Sequence, residues 1–255
     1  MLSVERNGSV LHLVIQRPEV RNAFDDHLIA ALRQAFLDLP SGIRAVVLRG
    51  EGKAFCAGGD LEWMRRAAHY TREQNEADAL ALAGLFQSVA ECPAVVIAQV
   101  HGFAFGGGAG LVSACDVAIA AEGTQFSFSE VKLGLVPATI SPYVVKKIGA
   151  GHARALFVTG HPFDAEHALR IGLVHRVVPA DGLTAAVDET IRTILRNGPE
   201  AVATSKWLAQ QPPLANAEAA ALLAEARARD EGKAGIAAFL EKRPADFVED
   251  WTGSA

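Results

Sequence analysis

The strongest constraint on the fold is an alternation of short apolar runs with helical segments through the first two-thirds of the chain. Apolar residues recur three and four positions apart over 25–39 and 77–89, as they do on one face of a helix. Strand-like apolar runs occupy 10–16, 44–49, 94–100 and 117–121. Strands separated by helices in this way predict an α/β domain in which part of the sheet is parallel.

A turn signal near the N-terminus predicts one antiparallel pair of strands. Asn7-Gly8 separates the strand-like residues 2–6 from 10–16, and this dipeptide suits the two-residue turn of a β-hairpin. Pro18 then ends the second strand, because proline lacks a backbone donor for the ladder.

The last third of the chain is predominantly helical and indicates a second region. From residue 141 the helical pattern is interrupted by a strand-like run at 173–178, and Pro212-Pro213 separates two helices. We expect a core over residues 1–195 and a helical region over 196–255. The alanine-rich segment 217–229 contains good helix formers. It suits either a helix docked on another subunit or a helix lying on its own core.

Charge and cysteine content exclude several partners and sites. A net charge of −5 over 255 residues and a pI near 5.9 provide no basic surface for nucleic acid or an anionic membrane. The three cysteines form no CxxC pair and the eight histidines form no HExxH motif, so we expect neither disulfides nor a metal site. No signal-peptide pattern and no membrane-length apolar run is present, so we expect a cytoplasmic protein.

The first segment that could carry chemistry is KAFCAGGDL at 53–61, between a strand and a helix. Gly58 and Gly59 let the backbone approach a ligand closely, and the following helix N-terminus adds a positive partial charge. An ordinary strand-to-helix turn is the alternative. Cys56 lies in this segment, but no histidine partner is evident for a thiolate nucleophile.

The second segment is the glycine-rich GFAFGGGAG at 102–110, expected as a loop that opens a helix at 111–115. It matches neither the Walker A pattern nor GxGxxG, so a nucleotide loop is excluded. Backbone N–H groups at the start of a helix suit a developing negative charge. Tight helix–sheet packing is the alternative explanation for the glycines. His101 and Asp116 near this segment are expected to be structural.

The third segment is TQFSFSEVKLGLVP at 124–137, in which Glu130 stands among apolar residues. A carboxyl group in apolar surroundings is expected to have a raised pKa, which suits a general acid/base near neutral pH. The alternative is a surface glutamate at the edge of an apolar turn.

The order and spacing of these segments resemble the crotonase (enoyl-CoA hydratase/isomerase) superfamily over nearly the whole chain. The resemblance implies a spiral of ββα units whose C-terminal helical region builds trimers, often paired into hexamers, and closes the site. It also implies an acyl-CoA thioester as ligand, with CoA part of the substrate and no separately bound cofactor. The motifs that carry the resemblance are RPEVRNAF at 17–24, FCAGGDL at 55–61, GFAFGGGAG at 102–110, FSFSEVKLGLVP at 126–137 and FLEKR at 239–243.

Position in these motifs implies a role for each site residue. The N–H groups of Gly59 and Gly107 are implied as an oxyanion hole for an enolate, with Glu130 as the acid/base. Lys242 is implied as a contact for a CoA phosphate. The residues implied to contact substrate or CoA are Arg21, Ala23, Ala57, Gly58, Asp60, Leu61, Gly110, Pro137 and Lys242.

One position departs from the usual hydratase pattern. Family hydratases usually carry a second glutamate where this chain has Gly110. Two carboxylates readily divide the activation of water and the protonation of the α-carbon, whereas one suits a Δ3,Δ2-enoyl-CoA isomerase. Residues 55–64 and 129–143 nevertheless resemble bacterial methylglutaconyl-CoA hydratases. Hydration of a 2-enoyl-CoA, branched or carboxylated, is the leading hypothesis; isomerisation and a non-catalytic acyl-CoA- or RNA-binding protein are the alternatives.

Overall fold

A computed structural model describes residues 1–253 and shows two β-sheets surrounded by helices. The strands are β1 (Leu2–Asn7), β2 (Val10–Ile15), β3 (Ala45–Gly50), β4 (Val95–Val100), β5 (Phe103–Phe105), β6 (Val117–Ala121), β7 (Gln125–Ser127), β8 (Phe163–Asp164) and β9 (Arg176–Val178). The larger sheet has the order β1-β2-β3-β4-β6-β9, and the smaller has the order β5-β7-β8. In the larger sheet only β1 pairs antiparallel, and every other neighbouring pair is parallel.

The helices follow the strands and become continuous in the last third of the chain. They are α1 (Asp26–Leu37), α2 (Leu61–Ala67), α3 (Arg72–Ala90), α4 (Gly107–Ala114), α5 (Ser141–Thr159), α6 (Ala165–Arg170), α7 (Leu183–Leu195), α8 (Pro199–Gln210), α9 (Asn216–Ala228) and α10 (Asp230–Leu240). Short 3-10 helices cover Pro18–Val20, Glu130–Leu133 and Ala180–Gly182. The α/β class, the N-terminal hairpin and the C-terminal helices are therefore confirmed. No described helix is long and apolar enough to cross a membrane.

The central strands are buried on both faces, as expected for parallel strands covered by helices. In β3, Val46 and Leu48 join a core with α1, α3 and α4, whereas Ala45 and Val47 face a second core formed with α7. Successive residues of a strand point to opposite faces, so one continuous apolar run serves both cores. The two cores hold the sheet rigidly below the loops at the carboxyl ends of its strands.

The C-terminal region returns to the sheet rather than projecting from it. Lys206 of α8 pairs with Asp116 at an N···O distance of 2.7 Å. Asp116 also accepts the N–H of Val96 at 2.7 Å, which agrees with the structural role expected for this carboxylate. Phe247 lies beyond the end of α10, and its carbonyl accepts a hydrogen bond from the Arg44 side chain at 2.7 Å. These bonds anchor residues beyond 195 to the strands of the core.

Two of the element boundaries that differ from expectation have an identifiable physical cause. Residues 102–110 were expected as a loop before a helix at 111–115, but they include β5, and α4 begins at Gly107. Glycine has low helix propensity, but close packing of this helix outweighs that preference. Helix α3 begins at Arg72 rather than near 77, because Thr71 and Gln74 form a reciprocal capping box.

Candidate active site

The segment 56–60 lies between two other pieces of backbone and is bonded to both. On one side, the N–H of Ala57 donates to the backbone carbonyl of Arg21 at 3.0 Å, and the N–H of Phe24 donates to the carbonyl of Gly58 at 2.7 Å. On the other side, Cys56 forms a parallel bridge with Ala104 of β5. The structure thus brings the first and second glycine segments together, although 40 residues separate them in the sequence.

The amide of Gly59 points away from residues 21–24. The carbonyl of Gly58 accepts the N–H of Phe24, and the structure contains no cis peptide in residues 1–253. In a trans peptide the C=O and N–H are antiparallel, so the N–H of Gly59 points in the opposite direction. Gly58 adopts φ +96°, a backbone conformation that favours glycine. This conformation turns the peptide between Gly58 and Gly59 so that its N–H faces away from residues 21–24.

The amide of Gly107 points outward from the N-terminus of α4. The carbonyl of Gly106 accepts the N–H of Gly110 at 3.0 Å, as in the first turn of a helix. The N–H of Gly107 belongs to the same peptide group as that carbonyl and is one of the donors without an intrahelical partner. Within residues 1–253, neither this amide nor that of Gly59 donates a hydrogen bond.

Glu130 is the first residue of a 3-10 helix and lies beside the N-terminus of α4. Its Oε1 lies 3.4 Å from the position that a Cβ on Gly106 would occupy. Its Oε2 is the one buried side-chain polar atom in the described chain without a hydrogen-bond partner. Burial raises the pKa of Glu130, opposed only by its own backbone N–H, with no contribution from a charged side chain within residues 1–253. The alternative of an ordinary surface glutamate is therefore wrong.

The apolar surroundings of Glu130 differ from those that its neighbours in sequence suggest. Phe126 and Phe128 are buried in the core, but Leu133 and Val136 expose 63% and 72% of their surface. The backbone at Gly106, distant in the sequence, approaches the Glu130 carboxyl group, whereas Leu133 and Val136 stay largely exposed.

Close packing also explains several glycines of the second segment. A Cβ on Gly107 would lie 2.7 Å from Cε2 of Phe24, and one on Gly108 would lie 2.6 Å from the carbonyl oxygen of Cys56. The packing interpretation and the amide-donor interpretation thus apply to the same helix turn. Glycine permits the close approach, and that approach places the N-terminus of α4 beside the 56–60 segment.

Gly110 has no room for a side chain. A Cβ there would overlap the Cγ2 methyl of Ile140, lie 3.0 Å from its Cβ and lie 3.2 Å from Phe86. The place that a second glutamate occupies in the usual hydratase pattern is therefore filled by apolar atoms. Of the two positions at which family hydratases usually carry glutamate, only the later one, Glu130, has a carboxyl group in this chain.

The other expected binding residues fall into two groups. Arg21, Ala23, Ala57 and Gly58 lie along the two paired backbone segments, with Arg21 at φ +56°. Asp60 and Leu61 begin α2, and Leu61 is 69% exposed. Pro137 is half-buried and its carbonyl accepts the N–H of Ser141. Lys242 lies exposed just after α10, at φ +55°, so its contact with a CoA phosphate stays a prediction.

Sequence reasoning missed a buried guanidinium beside this site. Arg17 Nη2 lies 3.0 Å from Asp25 Oδ2 and 3.1 Å from Asp60 Oδ2, and Nη1 donates to the carbonyl of Ala23 at 2.5 Å. Asp25 and Asp60 each precede a helix, which is the pattern of an N-cap. The N-cap pattern could have identified the roles of Asp25 and Asp60 from the sequence, but it does not reveal that both pair with Arg17.

Other nucleophile and metal candidates are not supported. The ring of His101 bonds the carbonyl of Gly52 at 2.9 Å, consistent with a structural role. Burial raises the pKa of the Cys56 thiol to about 12, so it is not a thiolate at neutral pH. Among the residues that the structure describes, no cluster of three His, Cys, Asp or Glu could hold a metal ion.

The fold, with its paired glycine segments beside a partly buried carboxyl group, is of the crotonase type. A family model described as "Enoyl-CoA hydratase/isomerase" matches residues 5–250, so the chain belongs to this family. The structure is similar to that of a Legionella pneumophila protein provisionally described as an enoyl-CoA hydratase/isomerase (crotonase). That protein is 42% identical, with a TM-score of 0.91 over 96% of this chain and 98% of the other.

Two further relatives agree with this assignment. Pseudomonas aeruginosa AtuE is 36% identical, with a TM-score of 0.93 over 97% of this chain and 99% of the other. A crotonyl-CoA hydratase of Syntrophomonas wolfei is 32% identical over 255 residues, which is 96% of each chain. The resemblance to the crotonase superfamily and the spiral fold that it implies are confirmed.

Proposed function

We propose that the protein reversibly hydrates a 2-enoyl-CoA thioester, with Glu130 as the acid/base. The observation that carries this proposal is the Glu130 carboxyl group, whose Oε2 is buried and unpartnered and whose Oε1 lies beside Gly106 at the start of α4. Glu130 accepts a proton from water as the water oxygen attacks the β-carbon, and then returns a proton to the α-carbon. One water is added across the double bond, and the carboxylate is regenerated.

The amides of Gly59 and Gly107 would stabilise the enolate oxygen formed during this addition. Both are backbone donors with no acceptor within residues 1–253. Donors set in place before the reaction stabilise the enolate more than the neutral thioester, because negative charge develops only as the reaction proceeds. One such donor contributes about 3 kcal/mol to transition-state stabilisation.

The two paired segments would also bind CoA. Arg21, Ala23 and Ala57 present backbone groups along the bonded edge, and Asp60 and Leu61 begin the helix that follows. Gly110 and Pro137 would contribute to the acyl-binding side, and the exposed Lys242 would meet a CoA phosphate. Unchanged affinity for CoA thioesters in Lys242→Ala would remove that last contact from the proposal.

One observation favours a second function. Ile140 fills the space beside Gly110, so no second carboxylate can stand there. A Δ3,Δ2-enoyl-CoA isomerase needs only one group, which removes a proton from the α-carbon and returns it to the γ-carbon. Hydration stays the leading proposal because a single carboxyl group can take a proton from water and later deliver one to carbon.

The finer proposal is that the acyl group is branched or carboxylated, as in 3-methylglutaconyl-CoA. Its support is the resemblance of residues 55–64 and 129–143 to that branch of the family. Incubation with crotonyl-, 3-enoyl- and 3-methylglutaconyl-CoA in ¹⁸O-labelled water separates these functions. Hydration gives loss of conjugation with ¹⁸O in the product, whereas isomerisation of the 3-enoyl thioester gives new conjugation without ¹⁸O.

Glu130→Gln is the control for contaminating activity in that experiment. Thioester binding without turnover of any of the three would contradict both enzymatic proposals and favour a non-catalytic acyl-CoA-binding protein. Binding of RNA in place of thioesters would favour the remaining alternative.

The assembly is proposed as a homotrimer or a dimer of trimers, in the cytoplasm. Support comes from large apolar side chains left exposed on the C-terminal helices, namely Trp207, Leu223, Ile236, Phe239 and Leu240. Analytical ultracentrifugation at several protein concentrations tests this; a monomer at all of them would contradict it.

A further inference from the structure

The structure assigns a positioning role to Arg17: we infer that its guanidinium holds the Gly59 amide in the orientation that the reaction needs. This inference rests on the proposed function, because the amide matters only if it receives the thioester oxygen. Arg17 follows β2 and lies between the N-termini of α1 and α2. It contacts no residue through which a proton would pass, so it is not itself catalytic.

Arg17 joins two helix caps that would otherwise repel each other. Asp25 Oδ1 accepts the N–H of Leu28 at 2.7 Å and caps α1. Asp60 Oδ1 accepts from Glu62 at 2.8 Å and caps α2. Their Oδ2 atoms both approach Arg17 Nη2, and the side chains of the two aspartates are only 13% and 9% exposed. Solvent has little access to these two carboxylates and screens their repulsion only weakly, so the cation between them is needed to hold both caps in place.

The ion pairs of Arg17 constrain Gly59 through the backbone of its neighbours. Asp60 is the next residue, and its N–H donates to the carbonyl of Phe24 at 2.7 Å. Arg17 Nη1 binds the carbonyl of Ala23 on the facing segment, so one guanidinium fixes both sides of the pairing. Gly58 and Gly59 lack side chains and can adopt many backbone conformations. The peptide between them therefore takes its direction from the anchored residues on either side.

The charge state of Asp60 is consistent with this arrangement. Burial by itself would raise the pKa of Asp60, but the N–H groups of Trp63 and Glu62 together with Arg17 outweigh it and lower the pKa. Asp60 is thus ionised near neutral pH and available to the guanidinium.

The experiment compares Arg17→Met and Arg17→Lys with Arg66→Met. Arg66 is a matched control because it also joins α2 to α1, pairing with Asp26 at 2.6 Å, but on a half-exposed surface and without a hydrogen bond to the Asp25 or Asp60 caps. The readouts are kcat, KM, and the carbonyl stretch of bound [1-¹³C]butyryl-CoA in isotope-edited infrared spectra. A hydrogen bond to the thioester oxygen lowers that frequency, so the band reports amide orientation rather than folding.

We expect wild type and Arg66→Met to show the same lowered band and the same kcat. Arg17→Met should lose most of the shift and about tenfold to a hundredfold in kcat, with the Kd for butyryl-CoA within threefold. Arg17→Lys keeps the charge but lacks the planar fork, so an intermediate loss is expected. If Arg17→Met does not fold, Arg17→Lys decides.

Two results separate the failure of this inference from failure of the proposed function. A lowered band in wild type that persists unchanged in folded Arg17→Met, with wild-type kcat, would overturn the positioning role alone. The same is true of wild-type values in Arg17→Lys when Arg17→Met is unfolded. No shift on binding to the wild-type protein would instead contradict the oxyanion-hole proposal itself.

Discussion

The Cγ2 methyl of Ile140 occupies the space into which a side chain at Gly110 would project. Helix α4 thus packs directly against the residue that precedes α5. The contact joins positions thirty residues apart and links the glycine-rich turn to the wall of the site. It gives a physical reason for the missing second glutamate, because a glutamate at 110 cannot enter without displacing Ile140.

Gly110→Ala should destabilise the protein, because one added methyl overlaps a fully packed neighbour. Overpacking of this kind costs about 1–3 kcal/mol in the free energy of unfolding. The matched control is Gly151→Ala in α5, where an added Cβ has no atom within 4 Å. Urea unfolding measures both, and the control should be neutral or slightly stabilising because alanine favours a helix. Equal midpoints for the two variants would show that the contact at 110 yields easily.

Shortening the side chain of Ile140 should make room for a side chain at position 110. Ile140→Ala removes the overlapping methyl, so we expect the double variant Gly110→Ala/Ile140→Ala to be less destabilised than the sum of the single changes. Additive free energies of unfolding would contradict direct contact between the two side chains.

Lys206→Met should destabilise the protein by about 1–3 kcal/mol, because it leaves the carboxylate of Asp116 partly buried without its cation. The Lys206 side chain is 9% exposed and also donates to the carbonyl of Ala94 at 3.0 Å. Arg72→Met is the control, since the Arg72–Glu76 pair is exposed to solvent. Denaturant midpoints measure both, and a shift no larger than that of the control would mean that α8 is anchored by other contacts.

Local patterns were sufficient to predict the elements whose causes are local. Asn7-Gly8 predicted the hairpin, and the apolar runs predicted the strands that lie between two cores. The start of α4 was missed because its glycines are poor helix formers, and the contacts that compensate come from Phe24, Cys56 and Ile140 elsewhere in the sequence. The side-chain period of a strand or helix contains no information about such distant partners.

The candidate site shows the same division. The raised pKa of Glu130 was predicted from its apolar neighbours in the sequence, of which Leu133 and Val136 are in fact largely exposed. Arg17 was missed because Arg-Pro marked only the end of a strand, and the two aspartates that it joins are 35 residues apart. The residues that could bear chemistry were visible in the sequence; those that hold them in place became visible only in the fold.

The pH dependence of stability should differ between wild type and Glu130→Gln. Burial raises the pKa of Glu130 above its ordinary 4.5 in the folded protein. The stabilising contribution of its protonated form is therefore complete below 4.5 and is lost as pH rises through the raised pKa. Glutamine carries no such charge, so the variant should have a higher Tm than wild type at pH 8, and the difference should disappear near pH 4. A Tm difference that is constant with pH would contradict burial of the ionised carboxylate.

The most direct test of the central claim is the turnover of Glu130→Gln compared with its affinity for a thioester that cannot react. We expect kcat for the 2-enoyl-CoA that the wild type hydrates best to fall by at least about a hundredfold, because general acid–base catalysis is lost. The Kd for butyryl-CoA, measured by calorimetry, should stay within threefold, since glutamine has nearly the same shape. Glu122→Gln, in an exposed turn, is the control and should match wild type in both. Near-normal kcat in folded Glu130→Gln would contradict the assignment of Glu130 as the acid/base.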